Sequence, residues 1–103
     1  MTTRVFISQP MKDKTDKQIL DERLAAISQV VEILGVKKED IIVIDSFFQG
    51  APHDAAPLWF LGKSIQLLST ADVAYFVKGW DEYRGCKIEH LAAVEYGIKT
   101  IEG

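Results

Sequence analysis

Residues Ala71–Gly97, ADVAYFVKGWDEYRGCKIEHLAAVEYG, run from an apolar segment through a glycine-bearing loop into a helical pattern. Val73–Val77 is apolar without alternation, the pattern of a strand covered on both faces. Gly85–Tyr96 predicts a helix, and Gly97 supplies its stop. Strand-to-helix junctions of this kind are where α/β proteins place their chemistry. Glu89 falls within the first turn or so of the predicted helix. A carboxylate there meets the positive end of the helix dipole and nearby backbone N–H groups, which favour its ionised form. Such a glutamate can act as a nucleophile toward an electrophilic carbon. The same spacing also fits a glutamate that only stabilises its own helix.

Working outward, the pattern repeats. Arg4–Ser8 (RVFIS) reads as a first strand, and Gln9–Lys14 (QPMKDK) as a polar loop broken by Pro10. Thr15 with Gln18 makes a capping box. Ile19, Leu20, Leu24, Ile27, Val31 and Leu34 carry an apolar stripe to Gly35, a helix stop. Arg23 interrupts this stripe and reads as an edge residue whose stem lies on apolar surface. Ile41–Ile44 (IIVI) is a second covered strand, and Asp45–Pro57 a longer loop. Pro57 opens a second helix, with Leu58, Leu61, Ile65 and Leu68 as its stripe. Ile98–Ile101 is a short fourth strand.

The alternation of strand and helix implies parallel strands with right-handed crossovers and helices on both faces. The expected fold is a single α/β domain over residues 1–103. It is a Rossmann/flavodoxin-like three-layer sandwich with a four-stranded parallel sheet of order 2-1-3-4. That order puts the topological switch between the first and third strands. The loops Gln9–Lys14 and Lys78–Arg84 then converge on one crevice, close to Glu89.

Size and composition narrow the function. A chain of 103 residues, 48% hydrophobic and 26% charged, suits one folded core. A formal charge of -3 gives no support to binding of polymeric nucleic acid or anionic membranes. No apolar run approaches a membrane span, and the N-terminus reads as a strand rather than a secretory signal. The single cysteine, Cys86, is compatible with a reducing, cytoplasmic setting. Two histidines without HExxH or CxxC spacing make no metal site, and no Walker or GxGxxG pattern implies a nucleotide cofactor. Neither metal nor cofactor is expected. Cys86 and His90, four apart, can share a helix face and permit a Cys–His hydrolase. A small buried thiol beside a surface imidazole is the commoner arrangement. Asp72 reads as a structural cap before the third strand.

With both loops in view, the chain resembles the nucleoside 2-deoxyribosyltransferase-like superfamily, which includes deoxynucleoside-monophosphate N-glycosidases and small phage-associated relatives. Three blocks carry the resemblance: VFISQPM, ADVAYFVKGW and RGCKIEHLAAVEYGIKTI. The small phage-associated relatives look closest, through Gly79–Trp80 and Arg84–Gly85. The resemblance implies that Glu89 is a nucleophile toward C1′ of a deoxyribose. It implies a small-molecule nucleoside or nucleotide as ligand, contacted by Gln9, Met11, Lys12, Ser64, Trp80, Tyr83 and Gly85. Ser64 and Tyr83 stand where transferases of the family carry aspartates. A serine cannot protonate a leaving base, and a tyrosine is a weak acid near neutrality. This departure supports an alternative, a catalytically inactive nucleotide-binding or sensing module. A homo-oligomer is expected, because Phe47, Phe48, Trp59, Phe60, Trp80 and Tyr83 supply more aromatic surface than one small core hides, and relatives often complete the pocket with a neighbouring subunit.

Overall fold

The computed structural model describes residues 2–10, 13–45 and 56–103. Four strands alternate with three helices: β1 (Thr3–Ser8), α1 (Asp16–Leu34), β2 (Ile41–Val43), α2 (Pro57–Leu68), β3 (Val73–Phe76), α3 (Arg84–Glu95) and β4 (Lys99–Glu102). Short 3-10 turns at Lys38–Asp40 and Trp80–Glu82 lead into β2 and α3. All strand pairs are parallel and the sheet order is β2-β1-β3-β4, as the alternation predicts. Boundaries differ from the expected ones by a residue or two, and β4 is displaced by one from Ile98–Ile101. Among the described residues, no helix is long and apolar enough to cross a membrane.

Strand parity sorts the core into two layers. Val5, Ile7, Val73 and Tyr75 point to one face, where Ala26 and Val30 of α1 cover them. Phe6, Ala74 and Phe76 point to the other, against Leu68 of α2 and Ala93 of α3. Ser8 shares the parity of Phe6, so its hydroxyl goes to the α2–α3 side. A serine buried to 2% exposure in that layer requires a hydrogen-bond partner.

Helix α1 starts at the expected capping box, with Gln18 N donating to Thr15 Oγ1 and Thr15 N to Gln18 Oε1. It ends at Gly35, whose φ of 65° glycine adopts without strain. Its buried face is rotated from the expected stripe. Ile19, Arg23, Ala26 and Val30 face inward, whereas Leu20 and Leu24 stand exposed. Arg23 is therefore not an edge residue. Its guanidinium donates to Gln9 Oε1 at 3.3 Å and to the Ile44 carbonyl at 3.0 Å, tying α1 to the ends of β1 and β2. Burial lowers its pKa, opposed by the charge of Asp45. In α2 the stripe also fails at its first residue, since Leu58 is 76% exposed. Asp72 is structural, as expected: its carboxylate accepts from Arg4 N at 2.8 Å and its own N–H donates to Arg4 O.

Candidate active site

The strand order reverses direction between β1 and β3, and a crevice of about 920 Å³ opens beyond their carboxyl ends. The first residues of α1, α2 and α3 wall it. Glu89 lies in this crevice, only 7% exposed, on the second turn of α3. Ser8 Oγ donates to Glu89 Oε1 at 2.6 Å, and the Ser64 hydroxyl on α2 also hydrogen-bonds the Glu89 side chain. Three elements distant in sequence thus converge on one carboxylate.

The electrostatics differ from the sequence expectation. Glu89 is the sixth residue of α3, beyond the first turn in which the helix dipole acts. Burial dominates and pushes its pKa above the usual glutamate value, and the Ser8 and Ser64 hydroxyls pull back toward the ionised form. The result is a carboxylate that is costly to ionise, yet is supplied with donors for its charge. This combination is typical of functional carboxylates in clefts.

Of the other residues singled out from the sequence, Gln9, Ser64, Tyr83 and Gly85 line the crevice with Glu89. Gln9 is 6% exposed and its amide is engaged at both ends. It donates to the Ile19 carbonyl at 3.1 Å and accepts from Arg23. It braces α1 at the crevice wall. Met11 and Lys12 lie outside the described residues, as do Phe47 and Phe48. Lys14 lines the crevice and pairs with Glu22 at 2.8 Å.

Trp80 is not among the residues lining the crevice. Its indole stacks on His90 at 4.1 Å with an interplanar angle of 17° and tilts against Phe76 at 5.5 Å. Gly79, at φ 94°, makes the turn that brings it there. His90 Nε2 in turn lies 2.7 Å from Glu102 Oε1. Cys86 and His90 therefore do not work together: the imidazole joins Trp80 and Glu102, while the thiol is buried on the crevice wall. Burial raises the thiol pKa, and the neighbouring charge of Glu89 raises it further. Both effects disfavour the thiolate that a cysteine nucleophile needs.

Ser8 is the site residue that sequence reasoning overlooked. The available signal was its position, a polar residue ending a covered parallel strand beside the topological switch. Among the described residues, no group of three or more His, Cys, Asp or Glu side chains could hold a metal ion.

Solved structures share this fold. A conserved protein from Enterococcus faecalis V583 superposes with a TM-score of 0.69 at 14% identity, covering 99% of this chain and 63% of that one. A 2-deoxyribosyltransferase from the psychrotolerant Bacillus psychrosaccharolyticus, described as a biocatalyst for synthesis of antiviral and antitumoral nucleosides, gives a TM-score of 0.60. It is 14% identical, with 96% of this chain and 70% of that chain covered. The chain thus spans about two thirds of the length of each neighbour. No protein-family model matches the sequence, and a search of curated proteins finds no match. What the chain shares with both neighbours is the α/β fold.

Proposed function

We propose that the protein cleaves or transfers the N-glycosidic bond of a nucleoside or nucleoside monophosphate, with Glu89 as nucleophile. The observation that carries this reading is the buried Glu89 carboxylate, given two hydroxyl donors in a crevice at the switch point. In the first step a Glu89 oxygen bonds C1′ of the deoxyribose as the C1′–N bond breaks, and the electron pair leaves with the base. Water then releases the sugar in a hydrolase, or a second base accepts it in a transferase. Each step passes through an oxocarbenium-like transition state, for which a nearby anion is favourable. Tyr83 precedes α3 and lines the crevice, which supports it as the candidate hydrogen-bond donor to a departing base.

A panel of deoxynucleosides and their monophosphates, with free base followed by chromatography, tests this reading. Release of base from at least one substrate is the expected result. Ligand binding by calorimetry without release from any of them would select the inactive nucleotide-binding module instead.

Gly85 gives a sharper check on where the ligand lies. It sits in the first turn of α3, and a Cβ built there meets nothing within 4 Å. Gly85→Ala should therefore leave the thermal midpoint unchanged or raise it, since glycine in a helix costs roughly 0.5–1 kcal/mol. The added methyl would project into space that a ligand close to this backbone occupies, so KM should rise. An unchanged KM would remove Gly85 from the ligand contacts.

The same reading extends to assembly. Leu58, Phe60 and Ile88, which are 76%, 37% and 44% exposed, line the open side of the crevice. We propose that a second copy of the chain covers them and narrows the site. Light scattering should give at least a dimer. A monomer at all practical concentrations would refute this part of the proposal.

A further inference from the structure

We propose that Lys14, paired with Glu22, binds the sugar end of the ligand, and that the pair selects an uncharged nucleoside over its 5′-monophosphate. The inference rests on the nucleoside reading of the site and adds where the sugar lies and what charge it carries. Glu89 is assigned to C1′, so the base and the sugar hydroxyls extend from it in different directions. The walls of the crevice differ to match. Pro57 and Leu61 of α2 line it with apolar surface, which suits the faces of a base. Gln9, just after β1, then Lys14 and Asp16 at the start of α1, line it with polar groups. The Gln9 amide is engaged by the protein at both ends. Asp16 offers only an acceptor when ionised. Lys14 is then the donor on this wall.

Its ammonium is held in place. Lys14 Nζ donates to Glu22 Oε1 at 2.9 Å and to Oε2 at 2.8 Å. Glu22 Oε1 also accepts from Gln9 Nε2 at 3.3 Å, and Gln9 is 6% exposed and tied to the Ile19 carbonyl. An ammonium has three protons. Among the described residues no acceptor besides Glu22 meets Lys14, so at least one N–H is left for a ligand in the crevice. The Lys14 and Glu22 side chains are 25% and 32% exposed, so water screens the pair only in part. A cation in contact with its counter-charge offers a hydrogen bond with little net field. A sugar hydroxyl, which accepts and donates, suits such a pair. A phosphate only accepts, and its negative charge would be brought close to the Glu22 carboxylate, an arrangement that costs affinity. The rest of the crevice supplies no excess of positive side chains. Of its described lining residues, Lys14 and Arg84 are cations and Asp16 and Glu89 are acids.

The test is calorimetric binding of carbocyclic 2′-deoxynucleosides of the four bases and of their 5′-monophosphates. These probes keep the hydroxyls, but their C1′–N bond is not glycosidic, so the wild-type protein does not consume them. At least one nucleoside should bind about 10-fold or more tightly than its own monophosphate. Lys14→Met keeps the apolar stem and removes the donor. It should weaken nucleoside binding about 10- to 100-fold, the size of a hydrogen bond to a charged group. Lys14→Arg, which keeps a donor, should lose less. Glu22→Gln frees the positive charge of Lys14, so the monophosphate should gain at least about 10-fold, and added salt should erase that gain. Tighter binding of monophosphates by the wild type overturns the selectivity, with the phosphate then at Arg84 or elsewhere. Unchanged nucleoside binding in Lys14→Met overturns the contact, and failure of every probe to bind overturns both. Selective binding of nucleosides without release of base from the natural compounds sinks the glycosyl-transfer reading and leaves this one standing. Base release with a preference for monophosphates does the reverse.

Discussion

Glu89→Gln should lose nearly all turnover while becoming more stable than the wild type at pH values above the folded pKa of Glu89. The first half follows from nucleophilic catalysis. Glutamine keeps the shape of glutamate and can still accept the Ser8 hydrogen bond, but it has no anion to bond C1′. Removing the nucleophile of a covalent mechanism lowers kcat by on the order of 10³-fold or more. The second half follows from burial. Glu89 has its pKa raised in the folded protein, so the native state binds its proton more tightly than the unfolded chain does. The favourable contribution is complete below the unfolded pKa and is lost as pH rises through the higher, folded value. Above that folded value the ionised Glu89 is therefore a cost that glutamine lacks. The stability gap between Glu89→Gln and wild type should be widest above the folded value. It should close in acid, where both side chains are uncharged. Chemical denaturation at several pH values reads the gap, and base release reads the activity. A variant that retains turnover would remove the glutamate mechanism. A variant less stable than wild type above the folded value would show that the two hydroxyl donors more than compensate the buried charge.

The acidic limb of the rate should carry the same signature. Activity that needs ionised Glu89 should fall in acid with a midpoint above the usual glutamate value, because burial raises it. The donors Ser8 and Ser64 keep that midpoint lower than burial alone would set. Loss of either hydroxyl should move it upward.

The sheet order was legible in the sequence because apolar strand segments alternate with helix patterns and every helix carries its own start or stop. Only β1 and β3 are covered, however: β2, expected to be covered on both faces, is an edge strand with Ile42 43% exposed, and β4 forms the other edge. Thr15–Gln18, Gly35, Pro57 and Gly97 mark these boundaries. Glu89 was legible as a carboxylate near a strand-to-helix junction. What holds it was not. Ser8 carries no periodic signal, and its partnership with Glu89 across 81 positions depends on strand parity and on which face α3 covers. The inward face of α1 was misread for a related reason. Periodicity ranks residues by hydropathy, so it placed Leu20 and Leu24 inside and Arg23 at the edge. The fold reverses this, because two hydrogen bonds from Arg23 satisfy its guanidinium at the strand ends. Trp80 shows the limit for aromatics in loops: stacking on a ligand and stacking on His90 leave the same trace in a sequence.

Phe76→Ala should cost the fold about 3–5 kcal/mol, the range for deleting a buried aromatic from a core. Phe76 is fully buried at the end of β3, in register with Ser8 of β1. Its ring meets His90 edge-on at 4.8 Å and Trp80 at 5.5 Å, and so supports the stack between them. A small domain has only about 5–15 kcal/mol of net stability, so this loss is a large share of it. Urea denaturation should show a much lower midpoint, and the near-ultraviolet dichroism of tryptophan should change. Phe76→Leu, which refills much of the space, should recover more than half of the loss. A cost below about 1 kcal/mol for Phe76→Ala would mean that the surrounding side chains collapse into the cavity. The effect on function should precede unfolding. Trp80 anchors the turn Trp80–Glu82, and that turn delivers Tyr83 and Gly85 to the crevice wall. With the ring gone, Trp80 and His90 lose the surface that aligns them, and the start of α3 gains freedom. Ligand affinity should therefore fall under conditions in which Phe76→Ala is still folded, whereas a core substitution on the opposite face of the sheet, such as Val30→Ala on α1, should lower stability without that loss.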